Sequence, residues 1–247
     1  MYLTIQGLVL RVTDYNDRDA LLTVLTANHG KLTVKARGLR RKNSPLTAPC
    51  QLLAYGEFTL FEYRGMYTVN EAHAIELFQN LRRNLTTLSL GTYFAQVADV
   101  ISQEDLPNPE LQSLVLNCLY ALSRLQIQED QVKAVFELRA ACIAGYTPDV
   151  FSCHVCGRPD ADRLDISAGR LECHGCRSND SDGLRMPVTP GVLAAIRYLV
   201  SCDPKRLFSF QAGMETMEKL SQLTETYLTT QLERGFSTLD FYKSLLI

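Results

Sequence analysis

Four cysteines fall into two Cys-x-x-Cys pairs, Cys153 with Cys156 and Cys173 with Cys176, separated by sixteen residues. This spacing is a zinc signature. Each pair can fold into a knuckle that directs two sulfurs at one metal. The segment between them is long enough for a short hairpin to return the second pair and close a tetrahedron with Zn–S bonds of about 2.3 Å. Gly157 and Gly175 ease the turns. Four thiolates leave no position for water or substrate, so the expected ion, one Zn2+ per chain, is structural. His154 and His174 each follow the first cysteine of a pair and are read as exposed knuckle residues. A redox role for the pairs would need a thioredoxin-like βαβ setting, which the pattern lacks. The acidic stretch from Ser178 to Gly183 lacks the leading Asp and later Glu of an EF-hand loop and reads as a solvated turn.

The second concentration of chemistry is cationic. Lys31, Lys35, Arg37, Arg40, Arg41 and Lys42 lie within twelve residues, with no acid among them. Leu32, Val34 and Ala36 alternate with Lys31, Thr33, Lys35 and Arg37, so as a strand this segment puts its bases on one face. Arg40, Arg41 and Lys42 carry the charge into a flexible loop. A cationic groove with aromatic neighbours suits a single-stranded nucleic acid, and Tyr15, Phe58, Phe61, Tyr63 and Tyr67 are the stacking candidates. The competing reading is a solvated strand edge protected by lysine. Reversing charge at Lys35 and Arg40, both expected to be exposed, is the natural test, with Arg158 and Arg163 as silent controls.

Catalytic motifs are absent. The chain has no phosphate loop, no dinucleotide-binding glycine pattern, no His-Glu-x-x-His and no nucleophile elbow. His73 beside Glu71 is the one acid–base pair in reach, and a surface histidine is the simpler reading.

The elements that must position these residues follow from periodicity. Leu8, Leu10 and Val12, then Ala20–Thr26, Lys31–Arg37, Gln51–Arg64 and Tyr67–Glu76 read as five strands, with Gly56 a bulge or bend. Five strands in this length suit a small barrel of OB type. From Leu77 the period changes to 3.6. Leu90, Phe94, Val97 and Ile101 form one stripe, Leu111 to Leu125 a second and Val132 to Ile143 a third. Gly145 is placed as a C-cap. Helices resume after Pro190, through Val192, Leu193, Ile196 and Leu199, then Met217, Leu220, Tyr227 and Leu228. The expected architecture is α+β: an OB-type barrel over 1–79 and a helical domain over 80–247, with a zinc module at 151–183 inserted.

Composition is that of a globular protein. The 247 residues carry 25 Lys+Arg and 27 Asp+Glu, with 46% apolar and 21% charged residues. Residues 1–80 hold 9 bases and 7 acids, residues 151–188 hold 5 and 6. The longest stretch free of Asp, Glu, Lys and Arg, Asn84–Ala98, falls short of the ~20 apolar residues a membrane span needs. No secretory signal is expected from the N-terminus. Cys50, Cys118, Cys142 and Cys202 are isolated among apolar residues, which suits a reduced, cytoplasmic protein.

The order of these parts resembles the RecO family of bacterial recombination mediators. The resemblance rests on Tyr15-Asn-Asp-Arg-Asp-Ala-Leu-Leu-Thr-Val-Leu-Thr, Gly30-Lys31 and Ala36-Arg37-Gly38-Leu39-Arg40-Arg41. It continues through Phe136-Glu-Leu-Arg139, Gly145-Tyr-Thr-Pro-Asp149 and the two cysteine pairs. It implies a nucleoid-associated protein, not an enzyme, that binds single- and double-stranded DNA and anneals complementary strands without ATP. It implies RecR as a partner, and action on DNA coated by single-strand-binding protein to allow RecA loading. It assigns DNA contact to Lys35, Arg37, Arg40 and Arg41, with Lys31 and Lys42 beside them. Two other readings are a zinc-ribbon nucleic-acid-binding module of transcription or translation and a hydrolase using His73. The net −1 of residues 151–188 argues against the ribbon as the nucleic-acid surface.

Overall fold

The computed structural model describes residues 1–125, 127–176 and 183–246. The chain divides into two compact units, Met1–Gln126 with Phe236–Ile247, and Ile127–Gly235.

In the first unit, β1 (Tyr2–Asp14), β2 (Ala20–Thr26), β3 (Lys31–Ala36), β4 (Tyr55–Tyr63) and β5 (Met66–Glu76) close a barrel in the order β1-β2-β3-β5-β4. All neighbours are antiparallel except β3 and β5, whose parallel pairing completes the ring. This is the expected OB-type barrel. Its core takes Ile5 and Val9 from β1, Ala20, Leu22 and Val24 from β2, and Leu32, Val34 and Ala36 from β3. Phe58 and Leu60 of β4 and Val69 of β5 complete it. β1 does not simply alternate. Leu8, Val9 and Leu10 are all buried, and a register shift falls between Val9 and Arg11. One face of β1 fills the barrel, while α1 (Leu85–Ile101) packs against the strand. Gly56 does mark an irregularity in the β4–β5 ladder.

The segment between β3 and β4 corrects two expectations. Strand β4 begins at Tyr55, because residues 51–54 form a turn in which Leu53 takes a φ of 62°. The preceding loop is also not a loose arm. Leu39, Leu46 and Cys50 are buried in the barrel core, so hydrophobic burial pins it.

Helix starts follow local chemistry. Asn84 caps α1 by accepting from Thr86 N at 2.8 Å, and Asn108 caps α2 (Pro109–Arg124) by accepting from Leu111 N at 3.0 Å. Pro109 occupies the first turn of α2, where a missing N–H costs nothing. Gln112 of α2 is buried and donates to the Leu25 carbonyl at 3.0 Å, tying the helix to the barrel.

In the second unit, α3 (Glu129–Ile143), α4 (Pro190–Ser201) and α5 (Met214–Gln231) pack on one another. The α3 terminus is a Schellman motif. Gly145 has a φ of 95°, its N–H reaches Cys142 O at 3.0 Å, and Tyr146 N reaches Ala141 O at 2.9 Å. Between α3 and α4 lies a small sheet, β6 (Asp149–Cys153), β7 (Arg163–Asp165), β8 (Arg170–Glu172) and β9 (Arg185–Pro187), in the order β6-β8-β7-β9. Of the acidic turn read from Ser178 to Gly183, residues 178–182 lie outside the described residues. A last helix, α6 (Ser237–Ser244), has no counterpart in the sequence reading; it packs on α1 in the first unit. Its eight residues bury only Leu239 and Tyr242, too little periodicity to read from sequence.

Candidate metal centre and nucleic-acid interface

The four-cysteine cluster is built by β6, β8 and the turns that follow them. Cys153 ends β6 and Cys173 follows β8, and both are buried. Cys156 and Cys176 sit on the turns beyond. Cys153 O accepts from Gly157 N at 2.9 Å, and Cys153 N donates to Arg158 O at 2.8 Å. Gly157 takes a φ of 72°, a conformation that a β-carbon would strain. In the second pair, Cys176 N donates to Cys173 O at 3.0 Å. The four Sγ atoms lie within 4.8 Å of one another, and Cys156 and Cys173 are 3.6 Å apart at sulfur. A tetrahedron with Zn–S bonds of about 2.3 Å has edges of about 3.8 Å, so the cluster could hold one metal ion at its centre. His154 is exposed, with Nδ1 3.0 Å from the Leu171 carbonyl, and His174 is exposed. Neither joins the cluster among the described residues.

Arg158, named from the sequence as a control for charge reversal, stands against the cluster. Its Nε and Nη2 each lie 3.4 Å from a sulfur, of Cys156 and Cys173 respectively. It is part of the cluster's support and cannot serve as a silent control. The cation pulls the exposed Cys156 thiol down to about 6, and hydrogen bonds from Arg158 are the main cause. Cys176 moves the other way, to about 12, chiefly through hydrogen bonding with Cys156 and Cys173. One cysteine is thus poised as thiolate, the form that binds metal.

On the barrel, parity holds for β3. Leu32, Val34 and Ala36 are buried, while Lys31, Lys35 and Arg37 take the outer face. The tertiary structure then divides the six bases into two groups. Lys31 Nζ is 2.9 Å from Asp99 Oδ1 of α1 and donates to the Asp99 carbonyl at 2.6 Å. Lys35 Nζ is 3.3 Å from Asp19 Oδ2, and its side chain is only 17% exposed, a correction to its expected exposure. Arg40 Nη2 is 2.7 Å from Asp14 Oδ1. Arg37, Arg41 and Lys42 are exposed and form no ion pair among the described residues. The acids come from the end of β1, the β1–β2 loop and α1, all distant in sequence.

The β1–β2 loop is held firmly. Asn16 Oδ1 accepts from the N–H groups of Arg18 and Asp19, and Asp19 Oδ1 accepts from Gly38 N at 2.8 Å. That backbone bond is the main reason the Asp19 carboxyl sits below its usual range. Arg40 N donates to Arg18 O at 3.0 Å, which brings the exposed Arg18 beside the arginine loop. Sequence proximity hid Arg18, because its segment lies about twenty residues upstream of Arg40. Of the aromatic candidates, Tyr15 and Tyr63 are exposed and Phe61 is 40% exposed; Tyr67 packs partly against the core, and Phe58 is core. His73 is exposed on β5, opposite Glu57.

Comparison with known proteins decides the family. The model for the recombination protein O N terminal domain matches residues 1–78, and that for its C terminal domain matches residues 82–240. The chain belongs to the RecO family. DNA repair protein RecO of Acetivibrio thermocellus is 34% identical to this RecO-family chain over 247 residues, covering 99% of the chain and 97% of the relative. DNA repair protein RecO of Alkaliphilus metalliredigens is 29% identical over 248 residues, and that of Bacillus subtilis 28% over 223. The latter match covers 90% of the chain and 86% of the relative. The similarity to the RecO family thus extends over nearly the full length. No helix of the described residues is long and apolar enough to cross a membrane.

Proposed function

We propose that this protein is a non-enzymatic DNA repair and recombination mediator. It binds single- and double-stranded DNA, anneals complementary strands without ATP, and acts with RecR to load RecA onto DNA coated by single-strand-binding protein. Residues 1–79 supply the DNA surface, residues 80–247 the helical domain, and residues 151–183 a structural Zn2+ module. The place of work is the cytoplasm, on the nucleoid. The observation that carries the reading is family membership along the chain joined to a closed barrel with exposed arginines on its outer side that form no ion pair among the described residues. Annealing then has a simple basis: cations offset repulsion between phosphates, and base pairing drives the reaction.

Within the sequence patch, the leading contacts in this reading are Arg37, Arg41 and Lys42, joined by Arg18, with Lys31, Lys35 and Arg40 tempered by their carboxylates. Four neutralised phosphates give a log–log salt slope of about −3 for a single strand, and each lost contact removes about 0.7. Arg37→Ala with Arg41→Ala is therefore expected to flatten the slope by about 1.4 and to slow nucleotide-free annealing. The assay is strand annealing with and without single-strand-binding protein, beside a salt titration of binding. A folded double variant with wild-type slope and rate would move the DNA site elsewhere.

The paired carboxylates give a prediction of opposite sign. Asp14 is 70% exposed at its side chain and holds Arg40. Asp14→Asn is expected to tighten single-strand binding and steepen the salt slope by about 0.7, because Arg40 becomes free for phosphate. Fluorescence anisotropy at several salt concentrations reads both. Weaker binding by the variant would mean that Asp14 positions Arg40 for DNA rather than competing with it.

A further inference from the structure

The barrel register sets the cationic strand and an aromatic cluster in one row round the outer wall. Lys35 of β3 lies opposite Thr68 of β5, Thr68 opposite Phe61 of β4, and Phe61 opposite Tyr2 of β1. Residues directly opposite share a face. Val34 and Ala36 take the core side of β3, and Leu60 takes it on β4, so Lys35 and Phe61 point outward. Phe61 is 40% and Tyr2 63% exposed, and their ring centroids are 5.3 Å apart. At the adjoining β4–β5 hairpin, Tyr63 is 61% exposed, with the Arg64 guanidinium 5.2 Å from its ring centre. At the cationic end, Lys35 Nζ stands 4.4 Å from the ring centre of Tyr15. Grouped exposed apolar side chains mark interaction surfaces. Rings interleaved with cations fit a ligand that carries both anions and flat apolar faces.

We propose that the Tyr2–Phe61 ring pair, with Tyr63 at the hairpin, is a stacking platform for the bases of a single strand whose phosphates follow β3 and the arginine loop. This rests on the DNA-binding reading above and adds the chemistry that separates single strands from duplex. Strands lie about 4.8 Å apart, so round the wall of the closed barrel Phe61 is two strands, about 10 Å, and Tyr2 three strands, about 14 Å, from Lys35. A strand of several nucleotides whose phosphates begin at the cations can therefore follow the wall round and lay its later bases on the rings. A duplex keeps its base faces stacked inside and offers this surface only phosphates.

The test compares wild type with Tyr2→Ala/Phe61→Ala on three probes of equal length: a thymidine single strand, an abasic single strand and a duplex. Wild type is expected to bind the thymidine strand more tightly than the abasic one. The double variant is expected to lose ~10- to 100-fold on the thymidine strand alone, with abasic and duplex affinity and the salt slope unchanged. Phe61→Trp is expected to retain thymidine binding. Thermal melting of each variant checks the barrel. Wild type that binds none of the probes defeats the DNA reading itself. Wild type that binds thymidine and abasic strands alike defeats the platform alone. So does a folded double variant that keeps thymidine affinity, as a protein-docking surface would give, or one that loses all three probes equally.

Discussion

Removing the metal from the four-cysteine cluster is expected to unfold the segment between α3 and α4. Its sheet is made of short strands, and among the described residues its buried apolar side chains are few, chiefly Val150, Ala161, Leu164, Ile166, Leu171 and Val188. A core of that size cannot offset the chain entropy of ordering the loops around it. A structural zinc ion contributes on the order of 10 kcal/mol to a module of this kind. Elemental analysis of fresh protein should find one zinc per chain. Cys173→Ser should lower the melting temperature and open the segment to protease, while the barrel keeps its affinity for a single strand. Arg158→Ala should weaken zinc binding by about 10- to 100-fold, since its guanidinium touches two of the sulfurs. Protein that carries no metal, or a Cys173→Ser variant with unchanged melting, would sink the structural-zinc account.

Lys133→Met is expected to destabilise the second unit by about 3–5 kcal/mol, because it strands a buried carboxylate. Lys133 is 3% exposed on α3 and Glu137, one turn on, is 0% exposed. Lys133 Nζ lies 3.0 Å from Glu137 Oε1 and 2.8 Å from Glu225 Oε2 of α5. Thr224 Oγ1 donates to Glu137 Oε2 at 2.9 Å, and Lys133 Nζ donates to Ser221 Oγ at 3.4 Å. Burial pushes the Glu137 carboxyl from 4.5 up to about 7, against the pull of Lys133. Lys133 pays its own burial penalty, yet the Glu137 and Glu225 carboxylates hold it above its ordinary value.

The sign of the pH dependence follows. A carboxyl whose folded value is raised favours the folded state below pH 4.5 and loses that contribution as pH rises to about 7. Without the Lys133 ammonium, the Glu137 value rises further, so the cost of Lys133→Met should be larger at pH 8 than at pH 5. Urea unfolding at both values reads this. Lys133→Met with Glu137→Leu replaces the pair by apolar groups of similar volume and should recover most of the loss. Equal destabilisation at the two pH values would show that lost packing, not a stranded charge, is what matters there.

Much of the site was legible because its signals are local. The cysteine spacing named the cluster, since a knuckle needs only the residues within it. Alternation from Lys31 to Arg37 named the outer face of β3, because strand side chains have period two. The long helices showed through their 3.6-residue stripes, and Gly145 marked one of their ends. Where a strand is covered on both faces, as β1 is at Leu8, Val9 and Leu10, alternation blurred.

What only the tertiary structure decided involves partners far apart in the chain. Asp14, Asp19 and Asp99 reach Arg40, Lys35 and Lys31 across separations of 26, 16 and 68 residues, turning half of an apparently acid-free patch into ion pairs. Phe61 meets Tyr2 because β4 pairs with β1 in the closed barrel. Glu225 finds Lys133 because α5 packs on α3. Electrostatic and stacking energies depend on distance in space. The sequence therefore determined which groups this protein carries and which face of each element they occupy. The fold decided which charges remain free for a ligand, because only closure of the barrel and packing of the helices set the distances between them.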